Sequence, residues 1–300
     1  MTTPPIELLD ESSCCWHESN VPLQERGVRM SWLVKLVDSI YEHTNWPLWQ
    51  DYTRRLEQAE RAESQRKAAL WNDNIPEPEW VDTREPELLE LTTRQFVAQH
   101  VIPFTALLKI PLYARIPESE RGKPSVFLSH AWDAIVLAKG KGRWGRYGTL
   151  DAFGPGVAGI QDEFVWIDFV CYNQHTVAEE SIAFDMESIV KSIGKVAFAV
   201  TPVSLFDRIW CLWEVLSVAR NPGVDSQFCA APGYQTDKRL MVNAFFEAFT
   251  SVTSAGSTKR EDKDKILGAM NSYFGSTDAA DDYIRHLIKR GMSHPWFGLH

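Results

Sequence analysis

Apolar positions recur along this chain with two different spacings, and the change from one to the other falls near residue 119. From Ser31 onward, Leu33, Leu36, Val37, Ile40 and Tyr41 repeat at three- and four-residue intervals, which predicts a helix capped by Ser31. A second helix is predicted from Pro47 to about Leu70, its later part from Glu57 to Lys67 mixing both charge signs as a solvated face does. Three prolines between Asn74 and Pro86 mark a linker. Leu88 to Leu108 resumes helical spacing through Phe96, Val101 and Phe104, with a kink expected at Pro103.

Beyond the polar stretch from Pro117 to Gly122 the pattern shortens. Ser125 to Ser129, Glu163 to Val170 and Lys195 to Thr201 are apolar runs suited to buried strands, and Ser226 to Ala230 is a weaker one. Helical patterns intervene: Ile182, Met186, Ile189, Val190 and Ile193 form one, Asp207 to Ala219 a second, Arg239 to Phe249 a third. This alternation predicts an α/β fold with a parallel sheet and helices on both faces, and ligands in such folds sit at the carboxyl ends of strands. That edge gathers Ser129 to Trp132, Asp168 to Gln174 and Thr201 to Trp210. Two further helices are expected between Lys259 and Lys289. The chain thus divides into a mobile arm without periodicity (1–29), a helical region (30–118), an α/β domain (119–250) and C-terminal helices (251–300).

Composition narrows the functional classes. A 300-residue chain with 44% hydrophobic and 24% charged residues can bury one sizeable core. Its net charge of -9, with no basic tail, speaks against nucleic acid as a partner, because such binding draws on cationic side chains. Cys14, Cys15, Cys171, Cys211 and Cys229 form no CxxC pair and read as thiols of a reducing compartment. The chain shows no signal-like start and no run of about 18 apolar residues, so no membrane partner and a cytoplasmic location are expected.

The candidate chemistry lies at the predicted sheet edge. Ser129, His130 and Trp132 follow the first strand, and Asp168 precedes a loop with Asn173 and Gln174. Each also suits a plainer role, as a capping serine, a packed indole or an aspartate bonding local backbone donors. Gly140-Lys141-Gly142-Arg143-Trp144-Gly145 matches GxGxxG, but Gly148 and Gly154-Pro155-Gly156 break the helix that a dinucleotide fingerprint must open, so a surface loop is expected. Cys171 with His175 is too small a set for a metal site, and neither Cys171 nor Cys211 is marked as activated by His130 or His175. In Arg208-Ile209-Trp210-Cys211-Leu212-Trp213-Glu214, helical spacing puts Trp210 and Glu214 on one face and Trp213 in the apolar stripe. Trp213 is expected to be buried, and Glu214 to open onto a cleft shared with the loops after His130 and Asp168.

These residues carry a resemblance. Val126-Phe127-Leu128-Ser129, the loop after Trp166-Ile167-Asp168, and Trp210-Cys211-Leu212-Trp213-Glu214 resemble, in order and rough spacing, the signatures of TIR domains. Plant TIR domains carry a Trp-Cys-Leu-x-Glu stretch whose glutamate is the catalytic residue of an NAD glycohydrolase, and Glu214 matches it. Trp166-Ile167-Asp168 with Cys171, Asn173 and Gln174, then Arg208-x-Trp210, is also similar to the fungal HET domain of incompatibility cell death. From about Thr92 to the tail the chain resembles microbial "FLSHAW" proteins of TIR-like type. The glycine-rich insertion between Trp132 and Phe164 departs from the compact first helix of most TIR domains.

The resemblance implies a flavodoxin-like (TIR-like) sheet, NAD+ as substrate with no separate cofactor, and cleavage of the nicotinamide–ribose bond to ADP-ribose or a cyclic variant as a stress, defence or cell-death signal. It implies Glu214 as the catalytic residue, with Ser129, His130, Trp132, Asp168, Asn173, Arg208 and Trp210 around the substrate, and a homo-oligomer on activation. The rival implication is a non-catalytic adaptor that self-associates. Chemically, the bond releases a neutral ring from a cationic one and needs no general acid. A carboxylate that orients the ribose hydroxyls and stabilises an oxocarbenium-like state suffices, and an indole from Trp132 or Trp210 could stack on the cationic ring.

Overall fold

The computed structural model describes residues 21–70, 84, 89–136, 148–153, 160, 162–176, 182–201, 205–230, 249–257 and 259–293. Contacts separate a helical unit over Asp38–Glu90 from an α/β unit built from 21–37 and from Leu91 onward.

Among the described residues the α/β unit is organised on six strands: β1 (Gly27–Arg29), β2 (Arg121–Gly122), β3 (Val126–Ser129), β4 (Phe164–Trp166), β5 (Lys195–Val200) and β6 (Asp225–Ala230). Their order across the sheet is β2-β1-β4-β3-β5-β6. The four strands β4-β3-β5-β6 are mutually parallel, whereas β1 runs antiparallel to both β4 and β2. The sheet is therefore mixed, and the expectation of an all-parallel sheet holds only for its larger part. The last three residues of the segment expected to be a mobile arm are β1, in which Val28 is fully buried opposite Val165. Gly27 permits this edge: a Cβ there would stand 2.6 Å from the Gly122 carbonyl oxygen.

Every residue of β3 is buried, as are all but the first of β5, which is why both read as continuous apolar runs rather than alternating ones. The run from Glu163 to Val170 is not one strand. It is β4 followed at Asp168 by a single helical turn, α5, as numbered below, because Phe169, Val170 and Cys171 are buried equally well in either conformation.

Among the described residues the helices, in chain order, are α1 (Met30–Leu70), α2 (Thr93–Phe96), α3 (Ile102–Thr105), α4 (Thr149–Ala152), α5 (Asp168–Cys171), α6 (Ile182–Ile193), α7 (Ile209–Arg220), α8 (Arg260–Phe274) and α9 (Thr277–Ser293). The two helices expected on either side of Pro47 are one helix of 41 residues. Proline removes one backbone bond without stopping a helix whose neighbours hold it. Here Thr44 and Asn45 donate to the carbonyls of Ile40 (2.8 Å) and Tyr41 (3.0 Å) in the turn before the proline. Asn45, fully buried, also accepts from the Leu89 amide at 2.7 Å.

The helix expected from Leu88 begins instead at Thr93, fixed by a capping box in which Thr92 and Gln95 exchange bonds. It widens into one π turn over Val97–Val101, ahead of Pro103, and ends at Thr105, so Leu108 is 40% exposed. α8 and α9 fall where two C-terminal helices were expected. The expected helix from Arg239 and the glycine-rich stretch 139–147 lie outside the described residues. Among the described residues no helix is long and apolar enough to cross a membrane.

Candidate functional site

β3 lies between β4 and β5 in the sheet, and the segments leaving the carboxyl ends of these three strands build the site. Ser129 closes β3; its Oγ donates a short hydrogen bond to Glu214 Oε2 on α7. Ser129 is fully buried and Glu214 is 7% exposed. The expectation that Glu214 opens onto a cleft is corrected, while Trp213 is buried as expected. The reason lies in α7, which is buried at Ile209 and at every position from Cys211 to Val218, so it behaves as a core helix rather than one with a single apolar stripe. Trp210, on the same face as Glu214, is half-buried.

Burial in apolar surroundings disfavours the charged form of Glu214 and pushes its pKa up to about 8; the Ser129 hydroxyl opposes this and the nearby Asp168 carboxylate adds to it. At pH 7 Glu214 is therefore mainly the neutral acid. Asp168 begins α5 and is partly exposed. Its Oδ2 accepts from the Trp132 indole N–H at 2.6 Å, and its Oδ1 from the Phe169 amide at 2.6 Å. His130 lies 3.7 Å from Asp168 Oδ1 through Nε2, an atom with no hydrogen-bond partner, and its ring meets Phe169 edge-on. Burial holds its pKa below the usual histidine value, more than the Asp168 charge raises it, so the ring is neutral.

Ser129, His130, Trp132, Asp168 and Glu214 thus come together at one strand edge. Arg208 stands at the start of α7 and pairs with Asp133 at 2.7 Å; Asp133 also pairs with Arg94 of α2 at 2.9 Å, and these two guanidiniums hold its carboxyl below the usual range. Arg94 and Asp133 are residues that sequence patterns did not single out. They lie 39 residues apart, and Asp133 lies 75 from Arg208, so only the fold joins them. Asn173 is engaged elsewhere: it donates to the Lys109 carbonyl at 2.7 Å and accepts from the His175 amide, which makes it a loop brace.

Cys171 and Cys211 are buried and hydrogen-bonded rather than presented to a ligand. Cys211 Sγ donates to the His130 carbonyl at 3.4 Å and Cys171 Sγ to the Arg26 carbonyl at 3.0 Å. Burial raises the Cys211 thiol well above its ordinary value and pushes Cys171 up to about 12. His175 bonds Thr105 at 2.8 Å. Among the described residues no group of three or more His, Cys, Asp or Glu side chains is placed to hold a metal ion.

The arrangement can supply a buried carboxyl that gives up its proton more readily when a positive charge arrives, since an opposite charge within a few ångströms favours the ionised form. Compared with family models, with curated proteins and with solved structures, the chain matches none.

Proposed function

We propose that this chain is a cytoplasmic NAD+ glycohydrolase of TIR type, in which Glu214 is the catalytic carboxyl. The observation that carries the reading is the Ser129–Glu214 pair at the end of β3, set beside Asp168 at the end of β4. The parallel strands run second-first-third-fourth in chain order, an order compatible with a flavodoxin-like sheet, in which β3 with β5 would be the switch point at which such sheets take ligands.

In this reading the pyridinium of NAD+ lowers the pKa of Glu214, whose carboxylate then orients the ribose hydroxyls. The C1′–N bond breaks with its electron pair going to nicotinamide, which leaves as a neutral ring. The oxocarbenium-like carbon takes water, releasing a proton with ADP-ribose, or an internal nucleophile, giving a cyclic product. Trp210 and Trp132 supply indole faces for the ring, and assembly into a homo-oligomer accompanies activation.

A second reading, a non-catalytic adaptor acting through self-association, is favoured by one observation: with 7% of Glu214 exposed, substrate reaches it only if neighbouring groups move. Free nicotinamide released from NAD+ separates the two. The wild type is expected to turn over, and Glu214→Ala and Glu214→Gln to lose about 10²-fold or more, the cost of removing a group that stabilises transition-state charge. No release by the wild type even at high protein concentration supports the adaptor.

A further inference from the structure

Asp133, in the loop after β3, gives one oxygen to each of two arginines from distant parts of the chain: Oδ1 to Arg94 Nε at 2.9 Å and Oδ2 to Arg208 Nη1 at 2.7 Å. Two guanidiniums against one carboxylate leave a net positive centre. It stands at the start of α7, a helix of 12 residues with no acidic residue in its first turn, so the helix end adds to the same sign. The Asp133 and Arg94 side chains are 49% and 45% exposed, whereas that of Arg208 is 17% exposed and anchored. A guanidinium fork that bonds a carboxylate bonds phosphate oxygens in the same way.

The geometry points to a binding site for the pyrophosphate of a dinucleotide, in which Arg94 and Arg208 take the phosphate oxygens and Asp133 is the internal anion that substrate displaces. This rests on, and deepens, the glycohydrolase reading. Arg208 precedes Glu214 by six residues, about 9 Å along the helix axis, a separation that the ribose attached to a bound phosphate can bridge. Asp133 follows Trp132, whose indole donates to Asp168, so displacing Asp133 acts on the residue next to that bond.

Calorimetric titration of the purified full chain with inorganic pyrophosphate, ADP-ribose and NAD+ tests the site. Asp133→Asn is expected to bind ADP-ribose roughly fivefold more tightly than wild type, the gain from freeing arginines of an exposed ion pair. Arg94→Gln and Arg208→Gln are expected to bind it more weakly and with a shallower salt dependence. Unchanged affinity in both arginine variants overturns the proposal, as does binding of inorganic pyrophosphate without ADP-ribose. Arg94→Gln breaks one half-exposed pair and keeps the fold, so it decides alone if Asp133→Asn does not fold. Arginine-dependent ADP-ribose binding in a chain that releases no nicotinamide keeps the site and removes the glycohydrolase reading. Nicotinamide release with ADP-ribose affinity unchanged in both arginine variants does the reverse.

Discussion

At the scale of single residues, Glu214 is a buried acid whose proton is linked to folding. Its pKa in the folded chain, about 8, lies above its ordinary 4.5, so the folded state holds the proton more tightly than the unfolded state does. The stability this confers is fully present below pH 4.5 and is lost as pH rises through 8, a change on the order of 5 kcal/mol at 1.36 kcal/mol per pH unit. Glu214→Gln has no proton to lose and keeps an acceptor for Ser129. Thermal unfolding followed from pH 5 to 8.5 should therefore show Tm falling more steeply in the wild type than in Glu214→Gln; parallel curves would remove the buried acid from the account. The identity of Glu214 as the residue of interest was legible from the Trp-Cys-Leu-x-Glu spacing, but its burial was not. Helical spacing reports which residues share a face, and α7 is covered on nearly all its faces.

At the scale of elements, the legible ones are those whose apolar pattern is long or continuous: β3, β5, α6, α7, α8 and α9. The missed ones are short. β1 has three residues and β2 two, too few for any period, and both are held by pairing with a partner rather than by their own pattern. α5 was hidden inside an apolar run because a buried turn and a buried strand use the same side chains. The sequence pattern divides α1 at Pro47 because proline weakens a helix locally, whereas the helix runs on through it, with Thr44 and Asn45 bonded to the preceding turn. The edge built by β1 supplies a test. In Gly27→Ala the new Cβ meets the Gly122 carbonyl oxygen at 2.6 Å and Pro124 nitrogen at 2.8 Å, both backbone atoms that cannot turn aside. A loss of roughly 1–3 kcal/mol is expected in denaturant unfolding, with amide exchange accelerated first in β1; unchanged stability would mean the edge is not held as closely as the pairing of Gly27 with Gly122 implies.

At the scale of the whole molecule, a chain of net charge -9 repels an anionic dinucleotide at long range, so the proposed dinucleotide site requires a local excess of positive charge. Arg94 and Arg208 provide one at the strand edge where Ser129, Asp168 and Glu214 also gather, and Arg94 comes from the segment preceding the α/β strands β2 to β6. Fold class could be read from alternating strands and helices; the arginine pair could not, since nothing in the local sequence of Arg94 refers to a loop 39 residues away. The most direct measurement is nicotinamide release from NAD+ as a function of pH. kcat/KM reports the protonation of the free enzyme, and a carboxyl that acts ionised with a pKa of about 8 predicts a rate that climbs tenfold per pH unit below 8 and levels above it, with Glu214→Gln slower by about 10²-fold or more at the plateau and without that climb. A rate independent of pH between 6 and 9, or turnover retained in Glu214→Gln, would contradict a catalytic role for Glu214.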